Sequence, residues 1–250
     1  MNPNRPIMQD KDIELAAAVH YSFLPARYHN DQIEIDVKIR PYDVIGGDYC
    51  GIFPLDDNRV VLTMCDAVGH GVASALFASR INTFVLSNAH KVINPSCLVE
   101  SLNQFLYRHL SVTGMYATFY TVFIDLSGMT FRFAGAAHPP ALHYVGGRNE
   151  VDSLESQASL LGFDASLPVK GAAGAHRLRS GDKMLIYTDG LIEARDQRGR
   201  QFGLPALREF VLQHHALDSE AFNIRLMDEL ESFSQNHFRD DVLLMTLTVK

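Results

Sequence analysis

The feature that most constrains the fold is two pairs of β-strand patterns, each pair joined by a very short turn. Residues 49–55 and 59–65 are apolar or β-branched runs separated by three acidic and amide residues, and residues 116–126 and 129–136 are separated by Ser127-Gly128. Turns this short make hairpins, because parallel strands need a crossover of about a dozen residues. The chain is therefore predicted to contain antiparallel sheets.

Helical patterns lie between and after these hairpins. Predicted helices cover residues 10–24, 71–89, 95–110, 204–214 and 219–233, and further strands cover 32–40, 141–145, 183–187 and 241–249. This order of strands, two helices, strands, two helices and a last strand is typical of a mixed α+β fold rather than a doubly wound sheet. We find no repeat and no Pro/Ser-rich linker, so residues 10–250 are predicted to form one domain behind a flexible lead-in at 1–9.

Composition and charge exclude several classes of protein. Of the residues 47% are hydrophobic and 20% are charged, and no apolar run reaches the length of a transmembrane helix, which excludes a membrane-spanning protein. The formal net charge of −7 argues against general nucleic-acid binding, which needs clustered Lys and Arg. The three cysteines are isolated and no signal peptide is present, so a cytoplasmic protein is expected.

Four acidic residues stand where predicted strands begin or end. Asp48 follows a Gly-Gly pair, Asp66 ends a strand before a Gly-x-Gly turn, and two further acids, Asp189 and Asp240, flank later strands. Each one alone is more simply a turn former or a helix cap. Carboxylates on neighbouring strand ends can converge, but they repel one another without a cation, and oxygen ligands suit Mg²⁺ or Mn²⁺. The residues therefore predict a site for a hard divalent cation.

Five motifs in a fixed order carry a family resemblance. They are Gly46-Gly47-Asp48-Tyr49, Asp66-Ala67-Val68-Gly69-His70-Gly71, residues 133–140, residues 185–194 and Asp240-Asp241. Each motif is short, but the ordered set resembles the metal-dependent protein phosphatase superfamily (PPM, type-2C-like), in its bacterial SpoIIE/RsbU branch of serine phosphatases. The resemblance implies a four-layer αββα sandwich, with two antiparallel sheets face to face, helix pairs outside and a metal site at one edge.

The resemblance also implies a role for each matching residue. Asp66 would bridge two Mn²⁺ or Mg²⁺ ions, and the backbone carbonyl of Ala67 would join the second ion. Asp189 and Asp240 would hold the first ion. Asp48 would lie beside the pair, either through water or at a third ion. The catalytic centre is thus expected at Asp66, Asp189 and Asp240.

Several assignments are left open at this point. Either Asp240 or Asp241 is the direct ligand, with Asp240 favoured and Asp241 as its support. Val68 stands where eukaryotic members place a His, so the general acid is unassigned, and His70 is more simply a surface residue. Gly51 stands where close relatives often carry a second Asp. The absence of that Asp would weaken the binding of one metal ion.

The implied activity is hydrolysis of phosphoserine or phosphothreonine on a regulatory protein. Two ions would activate water for in-line attack on phosphorus, without a covalent phosphoenzyme. In this branch the substrate is usually an anti-sigma-factor antagonist in partner-switching signalling. Helix 10–24 is expected to pack on the core, while control by an upstream activator and pairing into a homodimer stay open. Two alternatives also stay open: a catalytically silent docking module of the same fold, and a phosphatase of another phosphate ester.

Overall fold

The computed structural model describes residues 10–92, 94–169 and 174–250. The predicted lead-in at residues 1–9 lies outside the described residues. No helix within these three ranges combines the length and the apolarity that crossing a bilayer requires.

The helices and strands follow the order that the sequence patterns predict. The helices are α1 Asp10–Ser22, α2 Val72–Asn88, α3 Pro95–Leu110, α4 Asp189–Glu193, α5 Gly203–His214 and α6 Ser219–Ser234. The strands are β1 Arg27–His29, β2 Ile33–Arg40, β3 Tyr49–Pro54, β4 Arg59–Ala67, β5 Ala117–Asp125, β6 Thr130–Ala136, β7 Ala141–Val145, β8 Glu150–Leu154, β9 His176–Arg177, β10 Lys183–Tyr187 and β11 Val242–Val249.

The strands form two antiparallel sheets. The larger sheet has the order β1-β2-β11-β10-β7-β8, and the smaller sheet has the order β3-β4-β5-β6-β9. Both predicted hairpins are present, since β3 pairs with β4 and β5 pairs with β6 in antiparallel register. The prediction of antiparallel sheets is therefore confirmed.

An apolar core fills the space between the two sheets. Ile35 and Met245 point into it from the larger sheet, and Leu62 and Val122 from the smaller sheet, all of them almost fully buried. The opposite faces of the strands are covered by helices, because side chains alternate between the two faces of a strand. Helices α2 and α3 cover the smaller sheet and helices α5 and α6 cover the larger one. The predicted αββα layers are thus confirmed.

Two local details differ from the sequence patterns, and both concern acidic residues. Strand β4 runs on to Ala67, so Asp66 lies inside the strand, opposite Thr118 of β5, instead of at the strand's end. The strand continues because β5 offers pairing partners as far as Ala117. Asp189 is the first residue of the five-residue helix α4, rather than part of a plain turn.

Helix α1 packs on the core of its own chain, as expected. Ala17 lies in a small apolar cluster with Ile45 and Ala75. The helix ends at Ser22, two residues earlier than predicted. Of the residues that it contacts, Ile45 directly precedes Gly46-Gly47, and Ala75 lies in the first turn of α2, just after Gly71. The first helix is therefore close to the candidate site.

Candidate active site

The connection between β4 and α2 forms one wall of the candidate site. Gly69 and Gly71 have φ angles of 81° and 87°, a region that favours glycine. These glycines let the chain reverse tightly between strand and helix. Gly47 packs against this turn, and a Cβ there would lie 2.8 Å from the carbonyl oxygen of Ala67. The two glycine-containing motifs are about 20 residues apart in the sequence, and they contact each other at this turn.

Asp48 is a buried carboxylate that Thr188 holds from the opposite sheet. The Asp48 side chain is only 3% exposed. Its Oδ2 accepts a hydrogen bond from Thr188 Oγ1 at 2.7 Å. Burial, and then the nearby charge of Asp66, raise the pKa of Asp48 well above its ordinary value. The Asp48 carboxylate therefore lies near that of Asp66.

Asp241 fastens the loop before β3 instead of presenting free oxygens. Its Oδ1 accepts a hydrogen bond from the backbone N–H of Tyr42 at 2.7 Å, and its Oδ2 accepts one from Gly47 at 3.1 Å. A Cβ on Gly46 would overlap the same carboxylate. Both oxygens of Asp241 already have backbone donors, which is the arrangement of a structural support. Asp240 is exposed beside it.

Asp66, Asp189 and Asp240 face one another at the solvent-open edge of the sandwich. Burial and then the charges of nearby carboxylates, Asp189 foremost, raise the pKa of Asp66 to about 7. Burial and then the charge of Asp240 raise the pKa of Asp189. Carboxylates raise one another's pKa only when they are close. The structure therefore places the four acidic residues that the sequence analysis singled out near one another at this edge.

The donor set fits the implied metal ions in its chemistry. Carboxylate and carbonyl oxygens suit Mg²⁺ or Mn²⁺ and disfavour soft metals. In the part of the chain that the structure describes, no three His, Cys, Asp or Glu side chains already lie close enough together to form a ligand cluster. The fit to the implied ions therefore rests on the chemistry of the oxygen donors.

Two residues whose roles the sequence analysis left open, His70 and Gly51, lie outside the group of carboxylates. His70 is exposed, and its Nδ1 lies 3.8 Å from a carboxylate oxygen of Asp43. Gly51 lies on β3, and a Cβ there would overlap the ring of Phe53 and lie 2.6 Å from the hydroxyl of Tyr49. A side chain at position 51 would therefore displace the Phe53 ring or the Tyr49 hydroxyl from its place between β3 and α2. An acid at position 51 would point into that packing.

Two residues at the base of the site escaped assignment from the sequence. Thr118 Oγ1 accepts a hydrogen bond from the backbone N–H of Asp66 at 3.3 Å, and it lies 2.8 Å from His138 Nδ1. His138 is 4% exposed. The motif at residues 133–140 contains His138, which was given no ligand or catalytic role, and nothing in the sequence marks Thr118. Together they support the backbone of Asp66 from the neighbouring strand.

Helix α1 also reaches the site. His20 is buried, and its Nε2 lies 3.3 Å from the backbone carbonyl oxygen of Asp48. The same ring contacts Phe23, with 5.0 Å between the ring centroids. A single His on an apolar helix carries no sequence signal for such a contact. The helix therefore contacts the backbone of a candidate ligand as well as the core.

His138 is expected to make stability fall as the pH decreases below about 6.5. Burial lowers the pKa of His138 to about 3, whereas the unfolded chain has the ordinary value of 6.5. Between these values only the unfolded chain binds the proton, so this group lowers the free energy of unfolding by about 1.4 kcal/mol per pH unit. His138→Gln removes the group. Urea unfolding of the natural chain and of the variant at about pH 7 and about pH 5 checks this prediction. An equal change in the free energy of unfolding of the two proteins between these pH values would contradict it.

The fold is that of PP2C-type phosphatase domains. The SiaA-PP2C domain of Pseudomonas aeruginosa matches with a TM-score of 0.80 at 18% sequence identity, over 96% of this chain and 96% of that one. A crystal structure of RsbX in complex with magnesium matches with a TM-score of 0.67 at 16% identity, over 90% of this chain and 98% of that one. At these identities the likeness shows the fold.

The chain belongs to the SpoIIE family. The model of that family, described as Stage II sporulation protein E (SpoIIE), matches residues 56–250. The phosphoserine phosphatase RsbU of Bacillus subtilis (strain 168) is 24% identical over 249 residues, which are 98% of this chain and 73% of that protein. These matches confirm the predicted superfamily and branch, and with them the prediction that the chain is an enzyme of the phosphatase class.

Proposed function

We propose that this chain is a divalent-cation-dependent protein phosphatase that removes phosphate from serine or threonine side chains of a regulatory protein. The observation that carries the proposal is a group of carboxylates from both sheets that face one another at one edge. They are Asp48, Asp66, Asp189 and Asp240. Such a group lowers the stability of a fold through repulsion, and perturbed acids of this kind concentrate at functional sites.

The side chains divide into ligands and supports. Two or three bound Mn²⁺ or Mg²⁺ ions would lower the pKa of water and offset the negative charge of the phosphoryl group. Asp66 and the carbonyl of Ala67 are proposed to hold them from the smaller sheet, and Asp189 and Asp240 from the larger sheet. Asp48 is proposed to act beside them.

Asp241 is proposed to support the site without binding an ion. Both of its oxygens accept hydrogen bonds from backbone N–H groups, those of Tyr42 and Gly47. It thereby holds the loop that leads to Asp48. The exposed neighbour Asp240 has one oxygen engaged with the backbone N–H of Asp241 at 2.9 Å and is the better placed ligand.

The openness of the site supports a protein substrate. Asp240 is exposed and Asp66 is half-buried, so the carboxylate edge is accessible from solvent. A phosphorylated side chain on a protein surface can enter such an edge without being engulfed. The similarity to RsbU, which carries the name phosphoserine phosphatase, favours phosphoserine. An anti-sigma-factor antagonist in partner-switching signalling within the cytoplasm is the proposed partner class.

A metal-stripped sample titrated with Mn²⁺ tests the proposal. Phosphate release from a phosphoserine peptide is expected to rise with Mn²⁺ and to be abolished by excess chelator. Turnover that persists unchanged with chelator would overturn the metal-dependent mechanism. A protein that neither binds Mn²⁺ in calorimetry nor releases phosphate would instead favour a silent docking module of the same fold.

A further inference from the structure

We propose that Thr188 is a positioning residue that sets the orientation of Asp48 at the metal edge. This inference rests on the proposed function, because it assigns Asp48 to that edge. Thr188 lies between β10 and α4, directly before Asp189, and it is fully buried. Its hydroxyl group joins the two sheets at the place where their acidic residues meet.

The hydrogen bonds of Thr188 leave its hydroxyl group one orientation. Oγ1 accepts a hydrogen bond from the backbone N–H of Leu243 at 3.1 Å, and it lies 2.7 Å from Asp48 Oδ2. An N–H group can only donate, so the single hydroxyl proton is free to be donated to the carboxylate. The backbone N–H of Thr188 also donates to the Leu243 carbonyl oxygen at 3.0 Å. Thr188 is thus fixed to β11 at two points.

Asp48 depends on this one donor. Among the residues that the structure describes, Thr188 is the one protein group that donates a hydrogen bond to the Asp48 carboxylate. Asp48 lies before the smaller sheet, whereas Thr188 follows a strand of the larger sheet, and 140 positions separate them. A hydrogen bond between the sheets therefore sets where the Asp48 oxygens point. Groups that orient metal ligands in this way typically change metal affinity by about 10- to 100-fold when they are removed.

Three variants at this position separate positioning from simple packing. Thr188→Val keeps the shape of the side chain but removes the donor to Asp48. Thr188→Ser keeps the hydroxyl group and removes the methyl group. Thr188→Cys keeps a weaker donor. Thr121→Val is the matched control, because Thr121 is also fully buried and donates from Oγ1 to the Leu62 carbonyl oxygen at 3.0 Å, in the middle of the smaller sheet.

The test measures Mn²⁺ affinity by isothermal titration calorimetry on metal-stripped protein, with thermal unfolding and phosphate release alongside. Thr188→Val is expected to weaken Mn²⁺ binding by about 10- to 100-fold, and Thr188→Ser to restore it to within about threefold of the natural chain. Thr121→Val is expected to lower the Tm and leave Mn²⁺ affinity unchanged.

Two results would overturn the inference about Thr188. One is a folded Thr188→Val variant that binds Mn²⁺ as the natural chain does, and the other is a Thr121→Val variant that loses the same affinity. If Thr188→Val does not fold, Thr188→Cys decides, with weakened binding expected and unchanged binding contradicting the role. A natural chain that binds no Mn²⁺ would instead refute the proposed function itself, before any variant is compared.

Discussion

Replacing Asp66 with asparagine is expected to lower metal-dependent phosphate release by about a thousandfold or more. Asp66 is the candidate ligand whose carboxylate faces the others from inside a strand, where the pairing of β4 with β5 fixes its backbone. An amide keeps the size of the side chain but removes its charge, so the loss is electrostatic rather than steric. A loss of about 4 kcal/mol in transition-state stabilisation corresponds to this factor, and ion-based charge stabilisation has this size.

A second measurement on the same variant gives an effect of opposite sign. Without metal, Asp66→Asn is expected to raise the Tm, because one of several facing carboxylates has lost its charge. A gain of about 1 kcal/mol or more is the expected scale for relieved repulsion of this kind. Added Mn²⁺ should then stabilise the variant less than it stabilises the natural chain.

Asp57→Asn is the control for both measurements. Asp57 is an exposed acid in the β3–β4 turn, at the opposite end of this hairpin from Asp48 and Asp66, so phosphate release and Mn²⁺ stabilisation should be unchanged. An Asp66→Asn variant that keeps most of its turnover would remove Asp66 from the proposed ligands. A variant that loses turnover and also loses metal-free stability would indicate a structural role instead.

The sheets could be predicted because their evidence is local in the sequence. Short turns such as Ser127-Gly128 leave only a hairpin between the strands that they join, and β5 and β6 pair accordingly. The face-to-face packing of the sheets had no such local signal. The prediction of this packing came from the ordered set of motifs, and the apolar cluster between the sheets confirms it.

The acidic residues could be found, but their division of labour could not. Adjacent Asp240 and Asp241 have the same chemistry in the sequence, and only the folded loop shows which one has backbone donors. Both oxygens of Asp241 are engaged with the loop before β3. The partner of a buried carboxylate is equally hidden, since Thr188 follows a strand of the larger sheet and Asp48 precedes a strand of the smaller one. A single sequence gives no pattern for contacts between residues so far apart.

The packing of the sheets explains why the site is a property of the whole fold. Asp48 and Asp66 belong to the smaller sheet or its entry. Asp189 begins the helix that follows β10, and Asp240 shortly precedes β11, and both strands belong to the larger sheet. The two pairs face one another only when the inner apolar faces are packed, so any change that shifts one sheet on the other separates the carboxylates. Positions where the sheets' ends meet should therefore be the least tolerant of added volume.

Gly190→Ala tests this argument, and it is expected to abolish phosphate release and to destabilise the fold by about 3 kcal/mol. A Cβ on Gly190 would overlap the backbone carbonyl oxygen of Asp241 and lie 3.3 Å from the Cβ of Asp240. Neither the start of β11 nor the short helix α4 can give way without moving Asp189 relative to Asp240. The clash is with backbone, so no rotamer change relieves it.

Gly174→Ala is the matched control, since a Cβ at Gly174 would have no heavy atom of the described residues within 4 Å. The control is expected to keep its Tm and its Mn²⁺-dependent turnover. Thermal unfolding and phosphate release on both variants give the comparison. If Gly190→Ala were as stable and as active as Gly174→Ala, the close approach of α4 to Asp241 would not matter to the site. If it were stable but inactive, with weakened Mn²⁺ binding, the added methyl group would have separated the two halves of the carboxylate edge without unfolding the sandwich. That outcome would show that the carboxylate edge needs a fixed spacing between α4 and the start of β11.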